Sequence, residues 1–172
     1  GQTYVRGTAH LSNPLKQRIN SSAAKALLDA GLPDLARELL LGTVDGLDEE
    51  NYLNFSRRAW ERDMDYAHKL NPNYKSRPFE EGEYRERFPQ ESAALFSLLG
   101  RAELKLGNPQ QAEVAFTKSI KLFEDAPALA GLAEISLSRN QESAAVKYLM
   151  SAALTGHLDK AGIEQLHNLY TK

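Results

Sequence analysis

The 172 residues predict an all-α chain built from helix-turn-helix repeats, and three observations carry that prediction. Apolar residues recur at intervals of three and four almost throughout, the pattern returns after 33 residues in the second half, and helix-stopping and helix-starting residues alternate at matching places. With 42% hydrophobic and 26% charged residues the chain is the size of one ordinary domain and holds enough apolar surface for an interior. A formal charge of -2, from 21 Lys+Arg against 23 Asp+Glu, supplies no general field for nucleic acid or an anionic membrane. No apolar run approaches the roughly 20 residues of a membrane span, so neither nucleic-acid binding nor membrane insertion is expected. The absence of cysteine excludes disulfide frameworks, thiolate zinc sites, iron–sulfur clusters and a cysteine nucleophile. It leaves the compartment open: cytoplasmic, or exported after removal of a signal peptide, since Gly1 to Gly7 lack a signal's apolar stretch.

In chain order, a first helix pair is expected at 14–45, where Gly31 ends one helix and Pro33-Asp34 opens the next. Asp48 then caps a long helix from Glu49 to Leu70, whose stripe is Tyr52, Phe55, Ala59, Trp60, Met64, Ala67 and Leu70. Asn71-Pro72 stops it. From Pro72 to Pro89 the chain carries three prolines and the aromatics Tyr74, Phe79, Tyr84 and Phe88, which predicts an ordered excursion with at most a short turn over Glu80 to Arg87. The long helix and this excursion form an insertion at 48–90.

A second pair is expected at 92–125, with Leu95, Phe96, Leu98, Leu99, Ala102, Leu104 and Leu106 on its first helix and Val114, Ala115, Ile120 and Leu122 on its second. Between them Gly107 suits a left-handed helix end, Asn108 a cap, Pro109 a first turn and Gln111 a capping box. The third pair, 126–156, repeats the second at an offset of 33: Leu132 follows Leu99, Ala133 Gly100, Asn140 Gly107, Ala145 Ala112, Leu149 Phe116 and Ala152 Ser119. Ala24, Gly31, Ala36, Leu40 and Thr43 occupy the same places in the first pair, but Gly31 and Gly107 stand 76 apart, room for two periods and about eight further residues. Gly156 stops the last pair. Asp159 is expected to cap a final helix at 158–170, with Ile163, Leu166, Leu169 and Tyr170 covering the open end.

These residues resemble the tetratricopeptide repeat (TPR) family, most closely over Ala93 to Asp125 and next over Leu129 to Thr155. The family's bulky residue, Leu-Gly, turn glycine, alanine and aromatic are here Phe96, Leu99-Gly100, Gly107, Ala112 and Phe116, and the following small position is Ser119. The sequence departs from the pattern at Glu103, where a tyrosine is usual, at Glu124, where a proline is usual, and at Asn140. The resemblance implies a right-handed α-α superhelix with an irregular insertion, in which Gly100 and Ala112 let paired helices approach and Phe96 and Phe116 fill the space between repeats. It also implies a concave groove lined by first helices. Carried over by position, the groove residues are Arg18, Ser21, Lys25, Ser97, Arg101, Lys105 and Glu134, with Ala130 beside them. Family members that clamp a peptide carboxylate use lysine and asparagine; Ser97 and Arg101 stand in the first of those places, which weakens a chaperone-tail reading. Arg18, Lys25, Arg101 and Lys105 would either select an acidic segment or remain solvated.

No catalytic constellation stands out. His10, His68, His157 and His167 show no four-residue pairing for a metal, and phosphate-loop, dinucleotide and nucleophile-elbow motifs are missing. The acidic run from Asp45 to Glu50 lacks calcium-loop spacing and suits a helix start. Glu80, Glu81, Glu83 and Glu86 read as a salt-bridged segment before they read as a general acid. Arg57, Arg58 and Arg62 flank Trp60, yet Glu61, Asp63 and Asp65 cancel them. Trp60 is expected in the core, or else at a binding edge. The expectation is a non-enzymatic scaffold without cofactor or metal, binding a protein or peptide, with an acidic segment as the favoured ligand. The alternative is an accessory or regulatory helical domain of a larger enzyme or of a secretion or envelope assembly.

Overall fold

Three helix-ending turns of one kind set the architecture. Gly31, Gly107 and Asn140 hold φ of 75°, 77° and 58°, the left-handed conformation that glycine takes freely and asparagine tolerates. At each turn two N–H groups fold back on the finished helix: Leu32 to the Leu27 carbonyl and Gly31 to Leu28, Asn108 to Glu103 and Gly107 to Leu104, Gln141 to Ser136 and Asn140 to Leu137. These bonds satisfy carbonyls that a helix end leaves open. The next helix starts within two residues, so each turn joins antiparallel neighbours.

The computed structural model describes residues 13–155 and 160–170, of Tyr170 the backbone only. These residues form eight helices and no strand: α1 Pro14–Asp29, α2 Pro33–Val44, α3 Glu49–Leu70, α4 Glu81–Lys105, α5 Pro109–Leu122, α6 Ala126–Ser138, α7 Glu142–Leu154 and α8 Lys160–Tyr170. Asn13, Asp48 and Asp125 cap α1, α3 and α6 through side-chain oxygens that accept from the first-turn amides. Asn108 stands in the cap position of α5 but does not cap it. Its side chain donates to Glu103 at 2.8 Å and its own N–H is taken by the Glu103 carbonyl, so the expected capping box with Gln111 does not form.

Equivalent positions in the three pairs are buried alike. Ala36, Ala112 and Ala145 are fully buried, as are Leu40, Phe116 and Leu149. Phe116 lies between two glycines. A Cβ at Gly100 would stand 2.5 Å from its Cδ1 and Cε1, and one at Gly131 would overlap the opposite side of the ring. The aromatic ring thus binds its own pair to the next one only because both facing helices are bare at that point.

Helices α1 and α2 both pack on α4, α4 and α5 pack on α6, and α7 packs on α8. The first pair therefore stacks directly on the second. The wide spacing between Gly31 and Gly107 is an insertion between two stacked pairs, not the trace of a missing one. Within it, α3 buries Tyr52, Leu53 and Ser56 near its start, while Trp60 and Met64 are half-buried and Leu70 is exposed.

The expected proline-rich excursion is shorter than its composition suggests. Only residues 71–80 are non-helical, and α4 begins at Glu81 and runs through Pro89 without a break. Pro89 removes the amide that would bond the Arg85 carbonyl. The first turns of α4 are held by Arg85 on Glu81 at 2.9 Å, Arg87 on Glu83 at 3.3 Å, and the Phe88 ring edge-on to Tyr52 at 5.3 Å. At the far end, Leu166 and Leu169 of α8 cover Ala133, Ala145 and Leu149. Ile163 does not join that face as expected. It is 56% exposed, whereas Gly162 is buried. The expected stop at Gly156 and cap at Asp159 lie outside the described residues. On the outer face of the first pair Leu15, Ile19 and Leu35 remain exposed.

Candidate functional site

Four of the seven groove residues read from the sequence meet in one place. Ser97, Arg101 and Lys105 lie four apart on one face of α4, and Lys25 of α1 joins them around a hollow of about 440 Å³. Leu28, Ala94 and Leu98 give it an apolar floor, and Asp29, Asp125 and Pro127 complete its edge. Ser97 is buried at the base. Glu134 of α6 reaches the same region as a partner of Arg101 at 3.6 Å, with more than half of each side chain exposed, so the pair is screened and easily opened.

The remaining groove candidates do not line this hollow. Arg18 is turned to Glu91 of α4, with Nη2 at 2.6 Å and Nε at 2.8 Å from Oε1, and Tyr52 donates its hydroxyl to the other carboxylate oxygen at 2.9 Å. The hydrogen bond to Glu91 holds the Arg18 guanidinium above its usual range, against an opposing effect of burial. Burial first, and then the Glu91 charge, push the Tyr52 hydroxyl well above the ordinary phenol range. Arg18 thus links α1 to α4 through Glu91, which also accepts from Tyr52 of α3. Ser21 and Ala130 are half-buried and likewise do not line the hollow.

Two features had no counterpart in the sequence reading. Glu103 is 3% exposed. Arg37 of α2 donates to it at 2.6 Å and Asn108 at 2.8 Å, so both carboxylate oxygens are satisfied and the first pair is tied to the second by a buried charge. A larger hollow, about 630 Å³, opens on the other flank of α4, between α2 and α5 and over Phe96 and Leu99. Val114, expected from its spacing on the apolar face of α5, lines the hollow and is 57% exposed instead.

The insertion makes a separate aromatic cluster. Trp60 is half-buried and edge-on to Phe79 at 6.0 Å, and Phe79 stacks on Tyr84 at 4.9 Å with Arg57 over its ring. Two of the nearby cations are paired: Arg57 with Glu81 at 2.6 Å, and Arg85 with Glu49, Glu50 and Glu81. Glu80 and Glu83 share a hollow with Trp60 and Tyr84, but both are exposed and Glu83 is paired to Arg87, so neither is desolvated in the way a general acid requires. His68 Nδ1 lies 2.9 Å from the Met64 carbonyl and Nε2 lies 3.3 Å from Ser76 Oγ. His10 and His157 lie outside the described residues. Among the described residues there is no group of three or more His, Asp or Glu side chains placed to hold a metal, and no helix long and apolar enough to cross a membrane. The chain matches no protein-family model, no curated protein and no solved structure.

Proposed function

We propose that the chain is a non-catalytic scaffold of tetratricopeptide type, stacked as a right-handed superhelix, that binds a protein or peptide along the surface of its first helices. The reading is supported by three left-handed turns in register with the repeat, by the matched burial at Ala36, Ala112 and Ala145, and by direct stacking of the pairs. One observation carries the ligand assignment: Lys25, Arg101 and Lys105 converge on a hollow with an apolar floor. Asp29 and Asp125 stand at the edge and Glu134 pairs loosely with Arg101, so the favoured ligand is an acidic, extended segment that displaces Glu134 from Arg101 and places an apolar side chain on the floor. Because packed helices preform the surface, little ordering is needed on binding.

The test is binding of fluorescein-labelled acidic peptides, with charge-reversed peptides as controls. The double variant Arg101→Glu, Lys105→Glu should lose capture while its thermal midpoint moves by no more than about 4 °C. Equal capture by the variant removes the groove assignment. A second reading, a helical accessory domain of a larger enzyme or envelope assembly, is favoured by the exposed apolar residues Leu15, Ile19 and Leu35 on the first pair. The mass of the native polypeptide in its source separates the two.

A further inference from the structure

The second flank of α4 carries a site of its own. The hollow between α2 and α5 is floored by Phe96 and Leu99 and walled by Leu41, Val44, Val114 and Ala115, with Arg37, Asp45 and Glu103 also in its lining. Leu99 and Ala115 are themselves buried against Leu40 and Leu95. Leu41 and Val114 are 39% and 57% exposed, so the walls present apolar surface to water that a guest would cover favourably.

The repeat itself indicates the guest. The residue 33 positions after Ala115 is Tyr148. Its ring packs on the cluster of Phe116 and Leu132 and on that of Ala126 and Leu129, with Ile120 in both groups. Leu132, Leu129 and Ile120 are the repeat equivalents of Leu99, Phe96 and Val44, at offsets of 33, 33 and 76. The junction between the second and third pairs is therefore closed by a tyrosine where the junction between the first and second has a methyl group. The hollow is an unfilled stretch of an interface that the molecule completes elsewhere.

We propose that this hollow receives one tyrosine side chain from a partner segment, in the place that Tyr148 fills one junction later. Phe96 offers a ring to pack against, and Lys118 Nζ, 5.5 Å from the centroid of that ring, places a cation beside an incoming aromatic. Gln110 and Gln111 at the rim supply amides for the phenol hydroxyl. The site lies on the flank of α4 away from Ser97, Arg101 and Lys105, so it stands whether or not the basic groove binds peptide.

The experiment is a titration of the full, nitrogen-15-labelled chain with 4-methylphenol and with the capped tripeptide Ac-Gly-Tyr-Gly-NH2, read by amide shifts. Saturable shifts at Leu41, Val44, Leu99, Val114 and Ala115 are expected with both probes. Ala115→Tyr should fill the hollow from within and weaken both by at least about tenfold, with a urea midpoint no lower than the parent's. Leu41→Glu, on an exposed wall, should weaken both similarly at unchanged helix content and serves should Ala115→Tyr not fold. Arg101→Glu with Lys105→Glu should leave the titration unchanged. Shifts centred elsewhere, no saturation, or undiminished binding in Leu41→Glu overturn the site. Binding of 4-methylphenol with exclusion of the tripeptide overturns the partner segment.

Discussion

Replacing Gly131 with alanine should destabilise the protein, against the ordinary effect of that change in a helix. Alanine in a helix interior is favoured over glycine by about 1 kcal/mol, so the default expectation is a gain. At Gly131 the new Cβ would overlap Cζ and Cε2 of Phe116. The ring has no free side to retreat to, because a shift away from Gly131 drives it toward Gly100, where it is already in close contact, and Phe116 is fully buried. Overpacking a rigid core typically costs about 1–3 kcal/mol, and confinement on both sides puts this site at the upper end. After the helix gain a net loss of about 2 kcal/mol remains, equivalent to a fall of about 1 M in the urea midpoint for a slope near 2 kcal/mol/M. Gly42 is the control, since a Cβ there meets nothing within 4 Å; Gly42→Ala should be neutral or stabilising by up to about 1 kcal/mol. Denaturation followed by both circular dichroism and Trp60 fluorescence checks that the transition is a single one, as stacked pairs can unfold separately. Adding Phe116→Leu to Gly131→Ala should cost less than the sum of the two changes. A midpoint for Gly131→Ala at or above the parent's would refute the glycine-sandwich argument.

Other consequences follow from the same packing. Arg37→Met leaves the Glu103 carboxylate buried with Asn108 alone and should cost about 3 kcal/mol by urea unfolding; a change below about 0.5 kcal/mol would mean that water already serves the carboxylate. Pro89→Ala restores a donor to the Arg85 carbonyl and should raise the midpoint by about 1–3 kcal/mol in free energy, and a lowered midpoint would show that α4 needs the proline's geometry. Tyr52 has its ionisation pushed up in the folded state, while the unfolded phenol ionises near pH 10. Its contribution is whole below about pH 10 and lost as the pH rises further, because only the unfolded chain then releases the proton. Stability should therefore fall on going to pH 11, and Tyr52→Phe should flatten that fall; an equally steep decline in the variant would assign it to other groups.

The turn residues show how much of the molecule its sequence could announce. Gly31, Gly107 and Asn140 are local devices, needing a φ that few residues reach, and they mark the three antiparallel pairs before any contact is known. Asp48 likewise announced the start of α3 as a capping residue, and a period of 3.6 put Ser97, Arg101 and Lys105 on one face of α4; that Lys25 of α1 joins them was implied only by the family resemblance. By the same period Arg18 falls on one face of α1 with Lys25 and still does not line the hollow with it; a carboxylate 73 positions away, Glu91, holds it. Local rules also misjudged residues 81–89, where prolines argued for irregular chain and the first turns of α4 form instead, with Phe88 packed on Tyr52.

Sequence periodicity thus determined that this protein is all-helical, paired and repetitive, because turns and amphipathic faces are properties of a few adjacent residues. Tertiary structure decided which pairs touch, how the insertion is accommodated, that Glu103 is buried against Arg37, and that Ala115 leaves open what Tyr148 closes. Those outcomes depend on volumes and charges brought together from distant positions, and no local pattern records the space left between them.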